Sequence, residues 1–173
     1  NKNERILELE GDIETLDETS KQNLVPGALM DEKSVGTNAV GTALSEDSPI
    51  QVTASEHFMS IFQHVTCSAC PIHDSNGQII GMLNLTGKSE LAHPHTLGLV
   101  VATVSAIEYR INNVNIQKQL HNSNQFAFSM MNNLSNGLFA MDLNDRILWV
   151  NDTACRTINT RRLDLIDNSI ESI

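Results

Sequence analysis

Aromatic residues are scarce in this chain: one Trp, one Tyr and five Phe among 173 residues. Yet 40% of the residues are hydrophobic, so a core exists, it must be aliphatic, and the chain is globular rather than disordered. Basic residues are few as well, with 11 Lys and Arg against 21 Asp and Glu and a net charge of −10. Phosphate binding needs clustered cations, and only Arg161 and Arg162 are adjacent. Direct nucleic-acid contact by this segment is therefore not expected. Nor does any apolar run approach the length that spans a bilayer, and the opening NKNERILELEG is no signal peptide. No membrane partner and a cytoplasmic location are expected. Three cysteines, an odd number, fit reduced thiols better than a disulfide framework.

What is present begins with GTNAVGTAL at 36–44, which has the outline of a phosphate loop, Gly36 and Gly41 being separated by four residues. A phosphate loop needs Lys and then Ser or Thr after its second glycine, to neutralise the phosphates and hold magnesium. Thr42 and Ala43 stand there instead, and Lys33 precedes the loop. A nucleotide site is rejected. The stretch reads as the start of a short helix, with Gly36 easing a turn and Gly41 allowing close packing.

Along the chain, ERILELEGD reads as a short strand closing at Gly11, and DIETLDETSKQN as a polar helix ended by Val25-Pro26-Gly27. Ser34 or Thr37 is expected to cap a helix that turns Ala39, Val40, Ala43 and Leu44 inward. SPIQVTA is a strand, and Ser55 is expected to cap a short helix, EHFMSIFQH. VTCSACPIHD and QIIGMLNLTG flank Ser75-Asn76-Gly77, a strong hairpin signal. The hairpin makes the sheet at least partly antiparallel, which gives an α+β fold.

From Pro94 the pattern changes. Leu97, Val100, Val104, Ile107, Ile111 and Val114 step alternately by three and four, a heptad seam that fades at Gln117 and His121. Residues 97–107 suit an intramolecular core, whereas the seam beyond reads as a two-chain helical contact. Val104, Ile107, Ile111 and Val114 are the candidate dimer and connector residues. Residues 1–110 form the first domain and 111–123 a helical connector. In residues 124–173 a helix runs into Gly137, a strand over 138–141 turns at Asn144-Asp145 into RILWVN, Asn151-Asp152-Thr153 caps TACRTI, and Thr160 caps RRLDLI. Two strands and two helical turns cannot bury a two-sided core, so completion from outside these residues is expected.

Candidate chemistry is thin. Cys67 and Cys70 have the CxxC spacing of redox and zinc sites, but on a strand residues three apart point to opposite faces. His57, His64, His73, His93 and His95 include no pair at the helical spacing of a zinc protease. Glu56 and His57, adjacent in a helix, would not face each other. No catalytic constellation, metal or cofactor is expected.

Four motifs in order, VPGALMDEKSVGTNAVGTAL, SPIQVTASEHF, TCSACPIHDSNGQIIGMLNLTG and AHPHTLGLV, resemble the GAF domain of sigma-54-dependent bacterial activators across residues 4–110. Those of acetoin and dihydroxyacetone (glycerol) operons are the nearest group. NNLSNGLFAMDLNDRILWVNDTA looks like the first half of a PAS domain. The resemblance implies a mostly antiparallel GAF sheet flanked by helices, a sensory role, a homodimer, and a small-molecule effector or kinase subunit as partner. DNA and sigma-54 polymerase would be engaged by C-terminal domains that do not follow here. It also implies a ligand pocket at the matched motifs, for which Asn38, Phe58, Cys67, Met82 and Asn84 are the candidates, the two asparagines being its polar groups. Met30 stands where such domains usually carry Trp, Cys70 where they carry Ala, and Asp145-Arg146 where the PAS turn has glycine. The first GAF helix and strand are expected to be missing. The other readings are a dimerisation module with an empty pocket and a cysteine-based redox enzyme on the same scaffold.

Overall fold

A computed structural model of the chain describes residues 4–170. They divide into two compact units between Val114 and Asn115.

Unit 1 is built on three antiparallel strands, β1 (Ile50–Thr53), β2 (Val65–His73) and β3 (Ile79–Lys88), in the order β1-β2-β3. The β2–β3 hairpin closes where expected: the Asp74 carboxylate accepts the Asn76 and Gln78 amides at 2.8 and 3.0 Å, a side-chain turn that fixes register. Val52 pairs with Cys67, Cys67 with Thr86, Ala69 with Asn84 and Cys70 with Leu83. Because side chains alternate along a strand, β2 serves two cores. Ala69, with Cys67 partly buried beside it, meets Val52 and the small residues Ala39 and Ala43 of α3 (Ala39–Glu46). Cys70 packs with Val100 and Val104 of α4 (Pro94–Asn133), and Leu83 and Ile72 lie against them. A third cluster, Met30, Phe62 and Val65, closes one end. The core is aliphatic, as the composition requires, with Phe62 the aromatic buried in it.

Several local expectations change. The stretch ERILELEGD is not a strand: Arg5 makes an isolated antiparallel bridge to Leu29, and the Ile6 amide reaches Ala28 at 3.0 Å. Its neighbour is a loop only a few residues long, so no ladder can extend. The polar helix forms as α1 (Ile13–Lys21), capped by Asp12. A single turn, α2 (Glu32–Val35), follows, and Asn38 rather than Ser34 or Thr37 caps α3. In place of the helix expected from Ser55, two 3-10 turns form, Ala54–Glu56 and Ser60–Phe62. The first is closed by a Thr53–Glu56 capping box.

The helix from Pro94 is longer than expected, continuing without a break to Asn133. Proline suits its first position, where no amide partner is lost. Val100 and Val104 are 2% and 3% exposed, in the unit 1 core, and Ile107 and Ile111 are half-buried, while Val114 is 57% exposed. Val104 is therefore a core residue, not a contact to another chain. Its series packs inward because Cys70 and Leu83 on the sheet are there to receive it.

Unit 2 contains β4 (Phe139–Met141) and β5 (Ile147–Val150), an antiparallel pair, then α5 (Asp152–Thr157) and α6 (Arg162–Leu165). Its core is Ile147, Val150, Ala154 and Leu165. Asp145 adopts the left-handed backbone, with φ of 59°, in the turn between β4 and β5; aspartate is among the few residues that tolerate it. Asn151 caps α5 as the sequence suggests, whereas α6 begins after Arg161, without a side-chain cap from Thr160.

Candidate functional site

The α3 side of the sheet holds most of the sequence-derived candidates. Cys67, Met82 and Asn84 share one face of β2 and β3, since Cys67 pairs with Thr86, Ala69 with Asn84 and Pro71 with Met82. Thr86, missed in the sequence, links them. Its hydroxyl lies 3.3 Å from Cys67 Sγ and accepts the Asn84 amide at 2.9 Å. Met82 and Cys67 border the α3 core, whereas Asn84 is exposed. Amide, hydroxyl and thiol thus stand side by side at the edge of the α3 core. Burial pushes the Cys67 thiol up, against smaller opposing effects of its bonds to Thr86 and Asn84. Burial likewise raises Cys70, with Glu108 adding to the effect. Neither cysteine has the lowered pKa of a reactive thiolate, and the two serve cores on opposite faces of β2. Cys67, Cys70 and Cys155 are free thiols.

The other two candidates lie elsewhere. Asn38, 2% exposed, is a hub for the turn before α3: its amide donates to Met30 and Gly36 carbonyls at 3.0 and 2.9 Å, and its oxygen accepts the Gly41 amide at 3.0 Å. Both amide hydrogens and one oxygen lone pair are thus spent on the fold. Phe58 is 75% exposed and stands over Gly36, whose added Cβ would lie 2.4 Å from the ring. With Met59 and residues 32–37 it lines a separate open cleft of about 420 Å³. A Cβ on Gly41 would come within 3.0 Å of the Met30 carbonyl. Both glycines thus do the structural work the sequence suggested.

A second cluster in unit 1 was not foreseen. His73, at a bulge ending β2, has Nε2 at 2.7 Å from Asp47 Oδ1 and Nδ1 at 3.0 Å from Glu108 Oε1, and its backbone amide donates to Glu108 at 2.7 Å. Asp47 is the left-handed cap of α3 and Glu108 lies on α4, so one imidazole clasps three elements. Sequence separations of 26 and 35 residues left no local signal for it. The hydrogen bond to Asp47, then that to Glu108, raises the His73 pKa. Stability from a raised pKa is fully present below the unfolded value, about 6.5, and is lost as pH rises through the folded value. Thermal melts should therefore show the advantage of wild type over His73→Gln shrinking above about pH 6.5. A difference independent of pH would refute the ionic clasp.

Among the described residues no helix is long and apolar enough to cross a membrane, and no cluster of three or more His, Cys, Asp or Glu is placed to hold a metal.

An antiparallel sheet between a short helix and a long one makes unit 1 a small α+β domain. The GAF domain family model matches residues 6–111, and the chain belongs to that family. Over 99% of its length it is 38% identical to a signal-transduction and transcriptional-control protein of Clostridium beijerinckii, covering 27% of that protein. It is also 38% identical, over 70% of its length, to the acetoin dehydrogenase operon transcriptional activator AcoR of Bacillus subtilis, of which it covers 20%. The chain thus spans about a quarter of these relatives. In fold it resembles the crystal structure of the Escherichia coli DhaR(N)–DhaL complex, with a TM-score of 0.87 and 19% identity over 99% of this chain and 59% of that one.

Proposed function

We propose that this chain is the sensory region of a cytoplasmic, sigma-54-dependent bacterial transcription activator of the acetoin or dihydroxyacetone operon type. The observation that carries the reading is the 38% identity, across both units, to a transcriptional-control protein. Unit 1 is the GAF sensor, unit 2 the first half of a PAS domain, and α4 the element that transmits the signal, with a second chain alongside. Regions outside this chain handle DNA and polymerase. The effector is a small polar metabolite received at the Cys67–Asn84–Thr86 face, or a kinase subunit, as the DhaR(N)–DhaL complex suggests. The chain works by binding, not catalysis: raised thiol pKa values and opposite-facing cysteines speak against a redox enzyme.

A ligand that binds only the native state raises its stability by about 2.7 kcal/mol at a hundred times its Kd. Acetoin, dihydroxyacetone and a purified dihydroxyacetone kinase subunit are the probes. One of them is expected to raise the thermal midpoint, and Asn84→Ala should abolish a metabolite's effect without unfolding the domain, because Asn84 is exposed. If none of the three shifts the midpoint, effector sensing fails and a dimerisation module is favoured.

A further inference from the structure

A protonated imidazole carries two N–H groups and a neutral one carries a single N–H. His73 faces a carboxylate oxygen at each ring nitrogen, Asp47 at Nε2 and Glu108 at Nδ1, so both bonds exist together only while the ring is charged. Loss of the proton must break one of them, and the two carboxylates are unequal. The Glu108 side chain is 28% exposed and that of Asp47 55%, and the same Glu108 oxygen is also held by the His73 backbone amide. Water replaces the ring more easily at Asp47, because an acceptor that is already solvated loses less when its partner leaves. The remaining N–H therefore stays on Nδ1, and Asp47 is the partner let go.

That release acts on a helix end. Asp47 closes α3 in the left-handed conformation, at φ 48° and ψ 47°, where helices commonly place glycine. Its carboxylate has no hydrogen-bond partner but His73 among the described residues. The amides of Asp47 and Ser48 both end on the Ala43 carbonyl, and Ala43 is fully buried with Val52 and Ala69.

We infer that His73 is a proton-operated latch on the end of α3: charged, it pins that end to β2 and α4; neutral, it stays with α4 and frees α3. The titratable groups around the clasp are Asp47 on α3, Glu108 on α4, Asp74 next in the chain and, within the field of Glu108, the Cys70 thiol. No Lys or Arg is among the groups acting on the ring. The bond to Asp47, then that to Glu108, raises the His73 pKa, so the latch is closed in acid and opens as pH rises through the folded value. The ring is 30% exposed, and protons reach it directly from water. Met82 and Cys67 border the core that Ala43 helps to form, so pH sets how firmly α3 walls the proposed effector face. The latch deepens the sensor reading above and rests on it only for what the opening serves.

Nitrogen-15 NMR of the His73 ring and amide hydrogen exchange test this on the full 173-residue chain, between about pH 5.5 and 8.5, either side of the ordinary histidine value. Neutral His73 should be the Nδ1–H tautomer. Protection of the Asp47 and Ser48 amides, corrected for the intrinsic exchange rate, should fall as the ring titrates, while the His73 amide keeps its protection. The size of the fall is fixed in advance: about tenfold for each pH unit by which the wild-type ring titrates above that of Asp47→Asn. Asparagine tolerates the left-handed backbone, so Asp47→Asn should fold and leave the α3 end loose at every pH, as should His73→Gln. An Nε2–H tautomer, with the His73 amide losing protection instead, would overturn the latch on α3. So would α3 protection that ignores the titration, or a fall shared by all of β2, which is a general loss of stability. None of these readouts uses an effector, so effector sensing stands or falls separately.

Discussion

Asn151→Ala is expected to destabilise unit 2 by about 3–4 kcal/mol, given the worth of a helix cap and of buried hydrogen bonds. Asn151 is fully buried and uses every polar position it has. Its oxygen accepts the amides of Ala154 at 2.8 Å and Leu138 at 3.0 Å, and its nitrogen donates to the carbonyls of Met131 at 2.9 Å and Asn136 at 3.0 Å. One side chain thus caps α5, holds the entry to β4 and ties down the final turn of α4. Alanine strands two amides and two carbonyls together. Asn151→Asp should be no better, because a carboxylate keeps the two acceptors but faces two carbonyls it cannot donate to. Trp149, the chain's single tryptophan, sits in β5 with its ring 5.9 Å from that of Phe128, so its fluorescence in a urea titration reads unit 2. A midpoint within error of wild type would show that the four bonds are dispensable.

Gly36→Ala should cost unit 1 at least about 2 kcal/mol. Gly36 has φ of 67° and ψ of −164°, in a region that is essentially confined to glycine. An added methyl would also meet the Phe58 ring at 2.4 Å. The two costs are separable. Phe58 Cβ itself lies 2.5 Å from the added methyl, so a swing of the exposed ring is not enough, and Phe58→Gly in the Gly36→Ala background relieves the clash and leaves the backbone strain. Hydrogen exchange at the amides of β2 measures both. If Gly36→Ala alone were neutral, the turn before α3 would have to be far softer than its geometry implies. The Gly36–Gly41 pair that imitated a phosphate loop is thus a packing device, one glycine serving a backbone bend and the other a close carbonyl.

Much of unit 1 was legible because its signals are local. The Ser75-Asn76-Gly77 signal, the alternation along β2 and the aliphatic composition gave the hairpin, the opposite-facing cysteines and the aromatic-poor core. Asn151 was readable as a cap from Asn-Asp-Thr alone. Elements whose signals depend on distant partners were misread. ERILELEGD has strand-like composition, but a strand needs a neighbour of matching length, and only a short loop lies beside it. Ser34 and Thr37 are acceptable caps, yet Asn38 prevails because its amide can also satisfy the carbonyls of Met30 and Gly36. The heptad at Leu97–Val114 was read correctly as a stripe, but a stripe does not say what covers it.

The sequence by itself determined the α+β class, the antiparallel hairpin, the helix from Pro94 and, through four motifs in order, membership of the GAF family. Those depend on period, turn chemistry and order along the chain, which are one-dimensional. Only the tertiary structure decided that Val100 and Val104 face the sheet, that His73 joins Asp47 to Glu108, that Thr86 links Cys67 with Asn84, and that Asn38 is spent on the fold. Each joins residues that the chain must fold back to bring together, or chooses among local partners by what the fold places nearby. No spacing encodes such choices, because they are made by burial and hydrogen-bond satisfaction once the elements have packed.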